Sequence, residues 1–307
     1  MKTYLVTGAA GFIGANYIKY ILAKHDDIKV VILDALTYAG NLGTIAKDID
    51  EERCFFVKGD ICDRIPADEL FAKYKFDYVV NFAQLTQRAG NFLVAREPID
   101  DFSWDMLKGS KVLGGRAGGM PEMVFEYILT KNNIDPDMDL SIDQSIDFGS
   151  TAAAFSGGQG DFTIEFEPHA TLLEQKGDGY VVASLGEESG YVPYTSFSAK
   201  KSYLEKNPEI IQAFTDALQK GMDYVQEHSA EEIAKCIAPQ FAETGSDTLT
   251  AIVARYQEQD TWKEDLIFHK DAFDLLQNIL EDSDVLKERV PYEALVTTEF
   301  AEKATAR

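Results

Sequence analysis

The turn Thr7-Gly8-Ala9-Ala10-Gly11-Phe12-Ile13-Gly14 joins a short apolar run to an amphipathic one, and it limits the possible folds more than any other stretch of the chain. Glycine lets the backbone reverse sharply and leaves room for another group to approach its amides. The first N–H groups and positive dipole end of a helix starting there point at any anion in the turn. Residues 3–7, 29–33, 54–57 and 78–82 are short β-rich apolar runs, expected as buried parallel strands. Residues 11–24 set Ile13, Tyr17 and Ile21 at helical spacing, a second helix is expected near 42–49, and a third follows Pro66. Strands and helices alternating in this way build an α/β, doubly wound parallel sheet.

Gly8, Gly11 and Gly14 are spaced G-x-x-G-x-x-G, and Asp34 ends the second strand twenty residues beyond Gly14. A carboxylate at that place accepts from both ribose hydroxyls of a dinucleotide and repels a 2′-phosphate, which favours NAD over NADP. The alternative is a glycine-rich strand-to-helix turn that holds no ligand.

Thr7–Gly14, the run Asp34-Ala35-Leu36-Thr37-Tyr38-Ala39-Gly40-Asn41, Gly59-Asp60-Ile61-Cys62-Asp63 and Val79-Val80-Asn81-Phe82-Ala83 resemble the opening of the dTDP-glucose dehydratases, in the extended short-chain dehydrogenase/reductase superfamily. The resemblance covers residues 1–82, the Rossmann half that holds NAD. It implies that Phe12 and Ile13 line the diphosphate turn, that Asp34 and Thr37 surround the adenosine, and that Asp60 and Ile61 flank the adenine. Where that family continues with an Ala-Glu-Ser-His-type run, this chain gives Gln84-Leu85-Thr86-Gln87. The family's chemistry also needs a Tyr with a Lys four residues on and a Thr-Asp-Glu run. Tyr20…Lys24 and Tyr127…Lys131 match the first spacing, but both read as ordinary helix-face pairs, and the second run is absent. No catalytic residue is assigned, and dehydratase activity is expected to be missing.

From Phe82 onward the chain resembles substrate-binding proteins of ABC importers, in the nitrate, sulfonate, taurine and thiamine-precursor class. The resemblance is carried by Phe82-Ala83-Gln84-Leu85-Thr86-Gln87-Arg88, by Leu113-Gly114-Gly115-Arg116-Ala117-Gly118-Gly119-Met120-Pro121-Glu122, and by the run from Asp147 to Phe155. Gly160-Asp161-Phe162, Glu165-Phe166-Glu167-Pro168 and Tyr191-Val192-Pro193-Tyr194 add to it. It implies two α/β lobes joined by crossing strands and closing on a solute by hinge motion. Residues 92–96 and 192–198 are the expected crossings. The expected division is 1–98 as the Rossmann-derived part of the first lobe, 99–195 as the second lobe, and 196–307 as a helix-rich return onto the first lobe.

Two helix starts in the second lobe are candidate solute contacts, one at Gly115, Arg116, Gly118 and Gly119 and one at Ser150 and Thr151. Glu167, with Glu165 and His169 near it, ends the next strand and completes the candidate set. The bland alternative is that both glycine-rich stretches are only efficient strand-to-helix turns. No metal is expected. Asp135, Asp137 and Asp139 mimic a calcium loop, but Leu140 and Ile146 stand where the required glycine and closing glutamate belong.

The net charge of -23 disfavours nucleic acid and anionic membrane, both of which would repel the chain. Three cysteines form no framework, and no apolar run at the N-terminus reaches the length of a signal peptide or span, so a cytoplasmic location is expected. That conflicts with an export-dependent role for the second part, and an importer partner is not expected to be engaged. The whole reads as an engineered chimera joined inside a strand near Phe82, with a small molecule as its partner at most and NAD held weakly. Its fold is a two-lobed periplasmic-binding-protein-like architecture whose first lobe begins with a Rossmann half. A working importer receptor for a small anionic or heterocyclic solute, and an NAD-dependent nucleotide-sugar dehydratase, are the competing readings.

Overall fold

The computed structural model describes residues 2–36, 42–50, 52–59, 69–70, 73 and 79–306. It divides into two compact units, Met1–Asp77 and Tyr78–Arg307. Thr37, Asp60 and Ile61, named above as adenosine contacts, lie outside the described residues, as does the start of the helix expected after Pro66.

In the first unit, β1 (Lys2–Thr7), β2 (Ile28–Asp34) and β3 (Cys54–Lys58) form a parallel sheet in the order β1-β2-β3. The register runs from Lys2 opposite Ile28 to Thr7 opposite Leu33, and from Val30 opposite Cys54 to Asp34 opposite Lys58. Helix α1 (Phe12–Lys24) follows the glycine turn. Ala15, Ile18 and Ile21 of α1 pack on Ile28, Val30, Ile32 and Cys54, while Val31 and Leu33 meet Leu70 on the opposite face of the sheet. Burial on both faces explains why β2 reads as an unbroken apolar run. The helix expected at 42–49 is a single three-ten turn, Leu42–Thr44.

The second unit contains two sheets. Strands β4 (Val79–Thr86) and β10 (Thr195–Lys200) pair antiparallel, with Phe197 opposite Ala83 and Lys200 opposite Val79. This corrects the expectation of a fourth parallel strand at 78–82. The other sheet has the order β7-β6-β8-β5-β9, from β5 (Asn91–Ala95), β6 (Lys111–Leu113), β7 (Ser141–Asp143), β8 (Phe162–Phe166) and β9 (Tyr180–Ser184). Strands β6, β7 and β8 run parallel, while β5 is antiparallel to both β8 and β9. On one face Leu93, Val112 and Ile164 pack with Val124, Phe125, Ile128 and Leu129 of α2 (Met120–Lys131). On the other, Phe92, Val94 and Leu113 pack with Phe155 of α3 (Phe148–Ser156) and with Ala170 and Leu173 of α4 (His169–Lys176).

The sequence after β9 is helical: α5 (Leu185–Ser189), then past β10 α6 (Lys201–Lys206), α7 (Pro208–Glu227), α8 (Ala230–Ile237), α9 (Ser246–Glu258), α10 (Lys270–Asp282), α11 (Tyr292–Leu295) and α12 (Glu299–Thr305). Ser229 and Glu232 close a reciprocal capping box at the start of α8, as their spacing predicts. Ile211 and Met222 of α7 and Phe300 of α12 cover Val80 and Phe82 of β4. The helices do not all return to that sheet. α9 packs on α4, and Ile279 of α10 joins the core beneath α2.

The passages between the sheets also differ from expectation. Residues 92–96 are almost entirely β5, a central strand, and the chain passes between sheets at 87–90 and again at 190–194. An apolar run predicts burial equally well for a crossing and for a core strand, so its boundary came from turn residues that the pattern does not mark.

Candidate functional site

The glycine turn of the first unit is built as a dinucleotide turn requires. Gly8 has φ +64 and Gly11 is the N-cap of α1, whose first turn contains no acidic residue. A Cβ on Gly14 would sit 2.5 Å from Ala9 Cα and 2.7 Å from Gly8 O, so only glycine lets the helix start this close to the turn. Asp34 is 6% exposed, and its Oδ2 and Oδ1 accept from the Ala10 and Leu36 N–H groups, each at 2.7 Å. The carboxylate therefore holds the turn in shape; each oxygen keeps a lone pair for a further donor. The residues present fit the diphosphate end of NAD. On the exposed face of α1, Lys24 Nζ donates to Tyr20 Oη at 2.8 Å; in the second unit, Lys131 at the end of α2 pairs with Glu188 at 3.0 Å. Those contacts account for the lysines of both Tyr-Lys spacings.

In the second unit, the carboxyl ends of β6, β7 and β8 lie along one edge of the sheet, the usual place for a ligand in an open α/β sheet. Gly115 turns there at φ +74 against Phe148 at the start of α3, whose ring lies 5.8 Å from that of Phe166. Phe166 in turn packs near Gly90, and Asn91 lies opposite Phe166 in the sheet. Gly115, Arg116 and Ser150 are thus brought to this edge, with Arg116 and Ser150 exposed.

Gly119 is the N-cap of α2, with its N–H donating to Arg116 O at 3.3 Å, while Gly118, Thr151 and Glu167 are bonded within the protein. The Gly118 N–H donates to Glu122 Oε2 at 3.0 Å, and Gln144 donates to the other oxygen. Glu122 stands in the first turn of α2 and is 4% exposed, so the turn that leads into this helix is braced by a carboxylate of the protein itself. One turn on, Glu126 is pushed up to about 7 by burial and then by its hydrogen bond to Glu122. Thr151 is buried, with Oγ1 donating to Phe148 O at 3.0 Å. Glu167 is committed to Arg255 at 2.5 Å and to the Thr171 N–H and hydroxyl at 3.0 and 2.9 Å. It fastens α4 to α9 instead of facing a solute.

The sequence left other polar groups unassigned. Gln84 Oε1, Thr86 Oγ1 and Asn91 Nδ2 are buried without a hydrogen-bond partner, and all fall within the segment where β4 passes into β5. Asn91 Oδ1 accepts from Tyr194 Oη at 3.4 Å, so whichever way the amide is turned one end is unsatisfied. Glu165, 1% exposed, takes the Thr163 hydroxyl at 2.7 Å, has Oε2 unpartnered 3.7 Å from His169 Nδ1, and is pushed up to about 7 by burial. A buried polar atom left unpaired costs about 1–3 kcal/mol. Among the described residues no group of His, Cys, Asp or Glu is placed to hold a metal ion, and no helix is long and apolar enough to cross a membrane.

Comparison with known proteins separates the chain at the same strand. Residues 5–87 match the family described as GDP-mannose 4,6 dehydratase, and residues 102–238 match the NMT1-like family. YtlA of Bacillus subtilis (strain 168), whose name marks it provisionally as a binding protein, is 47% identical over 230 residues, covering 75% of this chain and 69% of YtlA. The chain belongs to that family. Within it, this member is chimeric: the dTDP-glucose 4,6-dehydratase of Neisseria gonorrhoeae is 46% identical over 82 residues, 27% of this chain and 23% of the enzyme. The chain spans about a quarter of the length of the dehydratases it matches. The periplasmic sulfonate-binding protein SsuA from Methylobacillus flagellatus KT shares the fold, with a TM-score of 0.61, 18% identity, and 100% and 94% of the two chains covered. The dehydratase match reaches through β4, the strand that pairs with β10 of the binding-protein body.

Proposed function

We propose that the protein is a small-molecule binder of the ABC-importer solute-binding type, made by replacing the opening of such a protein with a dehydratase fragment, and that it performs no catalysis. The observation that carries the binding reading is the row of unpartnered buried side-chain atoms at Gln84, Thr86 and Asn91, beside the passage between sheets. Buried amides without partners are rare in folded proteins, and a polar solute is what satisfies them in a binding protein. Design by recombination is supported by β4 itself. Its sequence follows the dehydratase profile while its hydrogen bonds go to β10, so the exchange preserves strand pairing across the join.

The glycine turn and α1 carry a second, weaker activity, binding of the adenosine-diphosphate part of NAD. The fragment spans only about a quarter of the dehydratases' length, so reduction or dehydration of a nucleotide sugar is not expected. Thermal-shift measurements with alkanesulfonates, taurine and thiamine precursors test the main reading. A shift with one of them that disappears in Asn91→Leu supports it; no shift with any, in a protein that melts cooperatively, overturns it.

A further inference from the structure

Three passages of chain lie side by side where the two sheets of the second unit meet: 87–90, 190–194 and 259–263. Backbone rungs tie them together. The Val192 and Tyr194 N–H groups donate to Gln87 O and Thr86 O at 2.9 and 3.2 Å, and those of Gln87 and Lys263 donate to Thr261 O and Leu85 O at 2.9 and 3.1 Å. Each of the three passages also contributes a side chain to a separate cross-link.

The Arg88 guanidinium lies 4.3 Å above the Tyr191 ring, and its Nη1 donates to Gly186 O at 3.0 Å. The Tyr191 hydroxyl donates to Asp260 Oδ2 at 2.7 Å. Gln87 Nε2 donates to Asp260 O at 3.2 Å, which closes the circuit back to the first passage. Asp260 holds φ +57, a left-handed conformation that aspartate tolerates better than most residues, and this sharp bend sets its carboxylate under the tyrosine hydroxyl. Arg88 Nε, by contrast, is buried without an acceptor. The guanidinium is thus held by the Tyr191 ring and the Gly186 carbonyl, with this one N–H left over.

We propose that Arg88, Tyr191 and Asp260 form a latch across the three passages, and that bending between the sheets requires the Tyr191–Asp260 hydrogen bond to open. In a protein that admits solute by bending there, the latch sets how readily the site opens. That functional meaning rests on the solute-binding reading; the latch itself does not, and its test needs no solute.

The experiment is site-resolved amide hydrogen exchange on the intact chain. Tyr191→Phe keeps the ring beneath Arg88 and removes only the hydroxyl; Asp260→Asn keeps tolerance of the left-handed backbone while weakening the acceptor. In either variant the amides of Gln87, Val192, Tyr194 and Lys263 are expected to exchange about fivefold faster, with those of Leu93 and Ile164 in the neighbouring sheet unchanged. The double variant should add little, because both changes act on one bond. Unchanged exchange at the four passage amides in both variants overturns the latch, and so does equal acceleration at Leu93 and Ile164. Faster passage exchange in a protein that shifts with no solute leaves the latch standing and removes the binding reading.

Discussion

The two glycine-rich turns of this chain look alike on paper and differ at one carboxylate. Thr7–Gly14 leads from β1 into α1, whose first turn has no acidic residue; residues 113–119 lead from β6 into α2, whose first turn contains Glu122. In the first, Asp34 comes from the neighbouring strand, braces the turn at Ala10 N–H and leaves the helix start without a side-chain cap. In the second, Glu122 accepts the Gly118 N–H and sets a buried carboxylate in the first helical turn. Glycine spacing therefore decides whether the backbone can turn. The residues of the first helical turn decide whether an anion is welcome there.

Gly14→Val should break the first turn most severely, since its Cβ meets backbone at 2.5 Å and backbone cannot rotate away. A loss of about 3 kcal/mol is expected, read by urea titration with amide exchange in β2 as the local reporter. Gly115→Ala comes next, at about 2 kcal/mol, because it forces both a left-handed alanine and a displaced Phe148 ring, 2.5 Å from the added carbon. A cost under 0.5 kcal/mol at Gly115, below the strain such a backbone normally carries, would show that the second turn is not held as described. Glu122→Gln should cost about 1 kcal/mol and make the second turn more like the first. Weak sulfate binding, absent in the parent and detectable by line broadening at Gly118 and Gly119, is the expected gain.

The smallest effect concerns pH. Glu126 has its folded pKa raised from 4.5 to about 7, so the folded state holds a proton that the unfolded chain has already released between those values. Its contribution to stability is present at low pH and is lost as pH rises through that window. Glu126→Gln removes the loss, so the variant should gain on the parent from pH 4.5 to 7 and then run level. A variant that loses ground on the parent as pH rises over that window would contradict the assignment.

Local features of the sequence were legible. The turn at Gly8, Gly11 and Gly14, the strands around it and the cap at Ser229 all depend on residues a few positions apart, and the structure has each where its spacing points. What escaped was set by distant partners. Glu167 reads as a free carboxylate at a strand end until Arg255, far along the chain, is seen against it. The strand at 78–82 reads as parallel until β10 is found paired to it in the opposite sense. No role as a contact can be read for Gln84 or Asn91 from the sequence, because single amides in apolar strands have no motif, and their missing partners become visible only once the surroundings are packed. Glu122 is the exception: an acidic residue in a helix's first turn is a recognised signal, and it could have closed the second turn to anions from sequence alone.

The most direct test is calorimetric titration with NAD and, separately, with ADP-ribose, in the parent and in Gly11→Val. Weak, saturable binding of both ligands with equal affinity, lost in the variant, is the expected result, because the matched fragment spans about a quarter of the dehydratases' length. Binding of NAD at least tenfold tighter than ADP-ribose would reveal a nicotinamide site and contradict the account. Absence of heat from either ligand, in a chain that still melts cooperatively, would contradict it as well.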